Sequence, residues 1–186
     1  MTVGEIISLG ALFAGKDDIS ADFAAGDVDK NDNDIKKFFT AYNVTISELC
    51  EEVEPIVAVE TVSAPGGKIY YADLQKKAVR IFKLKADGKA VPFLIEPEYV
   101  AVKVAASEFE ITYAYAPEYV SDTAAACPYD QKTFSVRTLA KAVAAEYLIT
   151  VGLFEEAAVL RKDFEDAVAK YALKKKREKI KKRVWS

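Results

Sequence analysis

Histidine is absent from the 186-residue chain, and its absence removes several common routes to catalysis at once. No Ser-His-Asp or Cys-His arrangement can form within one chain. The side chain most used for proton transfer near neutral pH, and the commonest transition-metal ligand, is missing with it. Carboxylate pairs and lysine nucleophiles remain, so enzyme activity is disfavoured, and we expect a protein with no catalytic residues and no cofactor. Cysteine is nearly as scarce. Cys50 and Cys127 stand far apart, too few for a disulfide-stapled secreted domain and too widely spaced for a metal site. We expect Cys50, on the apolar face of a helix, to be a buried thiol. No stretch approaches the roughly 18 consecutive apolar residues that span a bilayer. Met1–Glu5 carries no basic leader either. The expectation is a protein that stays in the cytoplasm or is assembled there, with no membrane partner.

What is present is ordinary globular material: 51% hydrophobic and 30% charged residues, with ten Tyr and ten Phe for core and interfaces. That composition argues against disorder. The charge is divided unevenly. Eight of the 26 basic and one of the 29 acidic residues fall in Lys174–Ser186, a net of +7. Residues 1–173 keep 18 basic against 28 acidic, a net of −10. An acidic body with a short basic tail suggests two different jobs.

The hydrophobic period divides the chain into helices, strands and helices again. Thr2 and Glu5 have capping-box spacing, and Ile6, Ile7, Leu9, Leu12 and Phe13 follow, with Gly15 as a stop. A short second helix over 17–25 would close at Gly26. The stripe Ile35, Phe38, Phe39, Tyr42, Ile46, Leu49, Cys50 and Val53 predicts a helix of about five turns that ends at Pro55. From Ile56 the period becomes two. Ile56–Ser63 and Lys68–Leu74 flank the turn sequence Ala64-Pro65-Gly66-Gly67, and Val79–Leu84 and Val91–Ile95 flank Asp87-Gly88, a strong hairpin signal. With Val100–Val104 and Phe109–Tyr115 these make six short strands, a compact antiparallel sheet or small sandwich. After a loop from Pro117 to about Thr133, two helices are expected. One buries Leu139, Val143, Tyr147 and Leu148. The other carries Leu153, Ala157, Leu160, Phe164, Val168 and Tyr171 on one face.

The predicted fold is therefore α+β: a helical bundle from the N- and C-terminal helices with a central small antiparallel β subdomain. The bounds are 1–55 for the N-terminal helices, 56–116 for the β subdomain, 117–173 for the loop and helical hairpin, and 174–186 for the basic tail.

Several local patterns invite chemical readings and fail them. Counted from Asp27, the Asp27–Asp34 loop places Asp32 where a calcium loop needs glycine and Phe38 where it needs a bidentate glutamate. It reads as a solvated loop that caps the next helix. Gly66-Gly67-Lys68 is too short to cradle phosphate and opens a strand, not a helix. Glu146 interrupts an apolar run, and pairing with Lys or Arg, or a contact between subunits, accounts for it better than an acid with a raised pKa. The basic run has three uses open to it: docking on an acidic protein with Trp185 as an aromatic anchor, a solvated helix end, or phosphate neutralisation on nucleic acid.

A set of strings carries a resemblance. They are Thr2-Val3-Gly4-Glu5-Ile6-Ile7, Lys68-Ile69-Tyr70-Tyr71, Val79-Arg80-Ile81 and Tyr113-Ala114-Tyr115-Ala116-Pro117. The C-terminal half adds Ala144-Ala145-Glu146-Tyr147-Leu148, Gly152-Leu153-Phe154-Glu155-Glu156-Ala157-Ala158 and Lys182-Arg183-Val184-Trp185. Together they resemble structural proteins of phages and prophages of Gram-positive bacteria. The element order resembles the head–tail adaptor (connector, tail tubular) proteins of tailed phages. The resemblance implies a virion structural protein of the neck, a homo-oligomeric ring commonly of twelve copies, bound to the portal protein and to a downstream tail or neck protein. DNA would pass through the channel without sequence-specific binding. It also implies assembly in the host cytoplasm and residence at the head–tail junction of the virion. On that analogy Lys174, Lys175, Lys176, Arg177, Lys181, Lys182, Arg183 and Trp185 make the portal contact. The alternatives are another neck, tail or baseplate component, and a nucleic-acid-binding accessory protein that uses the basic tail.

Overall fold

A computed structural model describes the protein over residues 1–64, 66–104 and 106–181, with 177–181 described in backbone alone. The chain is α+β. Five helices and two small antiparallel sheets are present among the described residues, with the helices on either side of the strands in sequence. It divides into two compact units: residues 1–49 with 119–186, and residues 50–118.

The first unit is helical. Helix α1, Val3–Phe13, starts at the expected capping box: Glu5 N–H donates to Thr2 Oγ1 at 3.2 Å, and Thr2 N–H donates to Glu5 Oε2 at 2.8 Å. Val3, Ile6, Ile7 and Ala11 are buried, while Leu12 is half exposed, so the stripe lies nearer Ala11 than the apolar spacing suggested. Helix α2, Asp17–Ala25, buries only Ile19 and Phe23. Helix α3, Asn33–Glu52, carries the long stripe from Ile35 to Cys50, with Ile35, Phe38, Phe39, Tyr42, Ile46, Leu49 and Cys50 all buried, while Val53, the last residue of the expected stripe, falls just past the helix and is half-buried. Asp32 caps it, its Oδ1 accepting from the N–H groups of Asp34 and Ile35.

The centre of this unit is helix α4, Val136–Thr150, which starts at Ser135 and packs against α1 and against helix α5, Phe154–Lys181. Ala140, Ala142, Ala144 and Ala145 have no exposed surface. These small side chains let neighbouring backbones approach: a Cβ on Gly10 of α1 would lie 3.2 Å from Ala140 O. Tyr147 stacks on Phe38 with ring centroids 4.0 Å apart. On α5, Ala157 and Phe164 are buried and Leu160, Val168 and Tyr171 half-buried, but Leu153 is exposed at the start of the helix.

The segment after residue 118 is anchored to this unit by backbone and amide bonds. Asn43 of α3 donates from Nδ2 to Val120 O and accepts from Val120 N–H on Oδ1, both at 2.8 Å. Val3 N–H donates to Ala125 O and Gly4 N–H to Thr123 O, both at 2.9 Å.

The second unit is a small sandwich. Strands β1 (Val57–Ser63), β7 (Glu108–Tyr115), β3 (Ala78–Ala86) and β4 (Lys89–Ala90) form one sheet in that order. Strands β2 (Lys68–Tyr70), β6 (Tyr99–Val102) and β5 (Phe93–Ile95) form the other. Val62, Ile69, Ile81, Leu84, Val100, Val102, Phe109, Ile111 and Tyr113 from both sheets share one core.

The hairpin expected at Asp87-Gly88 forms between β3 and β4. Both turn residues have positive φ, 50° and 75°, the geometry that suits the twist of the flanking strands. The chain then leaves that sheet at Pro92, and β5 joins the other one. The hairpin expected across residues 64–67 does not form. β1 pairs with β7 and β2 with β6, and residues 71–73 make a 3-10 turn instead of extending the strand. Gly67 explains the departure. Its φ is +67°, its carbonyl accepts from Val102 N–H at 2.7 Å, and a Cβ there would sit 2.5 Å from Val102 O. The glycine directs the chain into the second sheet, a tertiary effect that local turn chemistry does not contain. Pro65 of that turn lies outside the described residues.

Candidate partner-binding surface

The sequence of α5 changes character along its length. Glu155 and Glu156 occupy the first turn, where they complement the positive end of the helix dipole. Its middle is fastened to the rest of the bundle by charge. Arg161 is the hub: its NH1 donates to Glu146 Oε1 of α4 at 2.7 Å, its NH2 bonds Glu48 of α3, and its Nε donates to Glu165 at 3.2 Å. Burial works against the charged guanidinium, and the bonds to Glu48 and Glu165 more than offset it, leaving the Arg161 pKa raised. Burial also pushes Glu146 above the ordinary glutamate range, with Arg161 opposing that shift and Glu48 adding to it. Glu146 is thus a paired structural carboxylate that joins α4 to α5. Lys141 of α4 and Asp163 of α5 form a second cross-link on the same helix pair, which holds the Asp163 carboxyl low.

Beyond Tyr171 the apolar stripe runs out. Tyr171 packs on Phe134 at 5.0 Å between centroids, and Lys175 lies over the Tyr171 ring at 6.0 Å. Leu173, Lys174 and Lys176 are exposed. The backbone remains helical through Lys181, so the segment that composition marks as a tail continues α5 over Lys174–Lys181. Lys174, Lys175 and Lys176 are consecutive on this helix, and Arg177 and Lys181 belong to it by backbone. Lys182, Arg183 and Trp185 lie outside the described residues. With 3.6 residues per turn, consecutive lysines fan around the helix, so the segment presents positive charge on more than one side.

Exposed apolar residues occur in the same unit at the α4–α5 turn, a feature the sequence reading passed over. Ile149, Val151, Leu153 and Phe154 surround Gly152, and Phe154 is 66% exposed. The sequence signal for it was available: the apolar residues there fall at 149, 151, 153 and 154, out of step with a three- and four-residue spacing, so a single helix face cannot bury them.

The other candidates resolve into structure. In the Asp27–Asp34 loop, Asp29 Oδ1 accepts from Asn31 N–H and Asp32 caps α3. Asp34 bonds Lys16 at 3.0 Å and Lys37 at 3.1 Å, and chiefly the Lys16 bond holds its carboxyl down at about 2. No group of three His, Cys, Asp or Glu among the described residues could hold a metal ion. Cys50 is buried, its thiol donating to Tyr115 O at 3.4 Å, and burial raises the Cys127 thiol pKa. No helix among the described residues is long and apolar enough to cross a membrane.

No protein-family model matches this chain, and no curated protein matches it.

Proposed function

We propose that the protein is a virion structural protein without catalytic residues, a head–tail adaptor that forms a ring on the portal of a tailed phage or prophage and takes its portal contact through the basic end of α5. The observation that carries this reading is the α5 helix itself. It is pinned to α3 and α4 by Arg161 and Lys141 and then runs on as a lysine-rich helix whose Leu173, Lys174 and Lys176 are exposed. A helix anchored in this way projects its charge from a fixed base, which favours recognition of an acidic protein surface.

The charge division supports the same role. A net of −10 over residues 1–173 disfavours adsorption of DNA on the body, so a genome could pass without being held. The α+β arrangement, with helices from both chain ends around a central β region in sequence, is the element order of such adaptors. The exposed Ile149–Phe154 cluster offers apolar area for contact with another subunit or with the next neck protein.

The test is capture by the portal encoded in the same phage or prophage, using the full chain and a charge-reversed variant, Lys174→Glu with Lys175→Glu and Lys176→Glu. Capture of a multi-copy assembly by the full chain and its loss in the variant is the expected result. Binding of the full chain to DNA instead, with affinity falling steeply as salt rises, would move the function to the nucleic-acid accessory reading.

A further inference from the structure

Among the described residues, the β unit carries one sheet edge that differs from the others. β1 is the terminal strand of the four-stranded sheet, and it pairs with β7 over seven consecutive residues with no register shift. Tyr115 N–H donates to Ile56 O, and Ala64 N–H to Ser107 O. In an antiparallel ladder this alternation turns the backbone groups of residues 56, 58, 60, 62 and 64 toward β7, and those of Val57, Val59, Thr61 and Ser63 toward the open edge. The same four side chains lie on the exposed face, with Val57 47% and Val59 61% exposed.

Natural edges are usually guarded by lysine, proline, bulges or brevity. The other edges of this unit follow that rule. β3 carries register shifts at Val79 and Phe82 and exposes Arg80 and Lys83. β4 has two residues, and β2 and β5 have three each. β1, Val-Ala-Val-Glu-Thr-Val-Ser, has no lysine, proline, bulge or brevity to guard it, and its one charged side chain is Glu60, on the face it shares with the buried Val62.

We propose that β1 is a self-association strand, pairing antiparallel with β1 of a second copy about a twofold axis in the register that places Val59 opposite Val59. The proposal does not rest on the ring reading. Among the described strands, only β1 of a second copy offers an edge that matches β1 in length and regularity. Charge then selects the register. Pairing Val57 with Ser63 sets Glu60 opposite Glu60, and like charges directly opposed are unfavourable. Glu60 is also held in place, accepting from Gln75 N–H at 3.3 Å. Moving the pairing by two residues toward the N-terminus brings Val59 against Val59, Val57 against Thr61, and Ala58 against Glu60. The opposite shift faces Val59 with Ser63 and leaves Val57 unpaired. The first of these shifts sets each exposed valine against a cross-strand neighbour and separates the two carboxylates.

The experiment is size-exclusion chromatography with light scattering on the full chain, loaded at up to about 1 mM because a single strand pair is a small interface. The expected mass is twice the 20.5 kDa protomer. Val59→Lys and Val59→Pro should each return the protomer mass, with unchanged far-UV circular dichroism. Val59 N–H faces the open edge, so proline there removes no bond inside the protomer, and the lysine variant stands if the proline variant misfolds. In a Cys127→Ser background, Val59→Cys with oxidised glutathione should give a cross-linked dimer. Two thiols are oxidised to one disulfide as glutathione is reduced, across a Cα separation of about 5.5 Å that a disulfide accepts. Glu60→Cys should cross-link at least tenfold less. A protomer mass at every concentration, an assembly that survives both Val59 variants, or no cross-link at Val59→Cys would each overturn the proposal.

Discussion

Replacing Arg161 with methionine removes the cation that three helices share while keeping most of the side-chain volume. Glu48 and Glu146, with side chains 28% and 20% exposed, are left facing each other without compensation. Breaking a buried ion pair by removing one partner costs about 3–5 kcal/mol, and an exposed pair is worth about 0–1 kcal/mol. The partial exposure here places the loss between those limits, about 2 kcal/mol at neutral pH. The sign of the pH dependence follows from Glu146. Its pKa is raised in the folded protein by burial, and loss of Arg161 raises it further. A carboxyl that binds its proton more tightly when folded destabilises the fold above its folded pKa. That penalty disappears as pH falls through the folded pKa toward the unfolded value of about 4.3. Urea unfolding followed by far-UV circular dichroism, which reports the helical unit, should therefore show Arg161→Met losing about 2 kcal/mol at neutral pH and less than about 1 kcal/mol near pH 5. Adding Glu146→Gln to Arg161→Met should recover much of the loss at neutral pH. Equal losses at both pH values, or no recovery, would refute the view that uncompensated carboxylates cause the effect.

Gly67→Ala forces a Cβ to within 2.5 Å of Val102 O at a positive φ, and should lower the stability of the β unit by about 2 kcal/mol or more in thermal unfolding. Leu139→Ala, at a fully buried position on α4, should cost about 2–5 kcal/mol in urea unfolding through the cavity it leaves. Asp32→Ala deletes the α3 cap and should cost about 1 kcal/mol by the same assay. Carboxyl NMR titration should find Asp34 ionising at about 2. Its depressed pKa contributes stability above the unfolded value and loses it as pH falls through the folded one, so Lys16→Ala should move that ionisation upward.

The helices were legible because their apolar residues recur at three- and four-residue steps, and the α3 stripe is buried residue for residue from Ile35 to Cys50. The capping box at Thr2 and the Asp87-Gly88 hairpin were legible because each is local chemistry. The pairing of strands was not. β1 and β2 are neighbours in sequence but belong to different sheets, and the cause is a contact between Gly67 and Val102, residues far apart in the chain. Leu12 and Leu153 show the limit of periodicity at helix ends, where an apolar residue in phase with the stripe has no neighbour to cover it. The Arg161 hub was half legible. Glu146 reads from sequence as a carboxylate in want of a basic partner, but a partner 15 residues on, shared with a glutamate of α3, follows only from how three helices meet. The basic run was visible from composition and open to reading as a helix end, but the extent of its helical backbone, as far as Lys181, was not.

The central claim is that this chain is an adaptor which docks on a portal through the end of α5. It is tested most directly by mixing the full chain, and a version ending at Leu173, with the portal encoded in the same phage or prophage, and reading complex mass by light scattering. The account predicts a multi-copy assembly on the portal with the full chain and none with the shortened one. A full chain that leaves the portal's mass unchanged would contradict it.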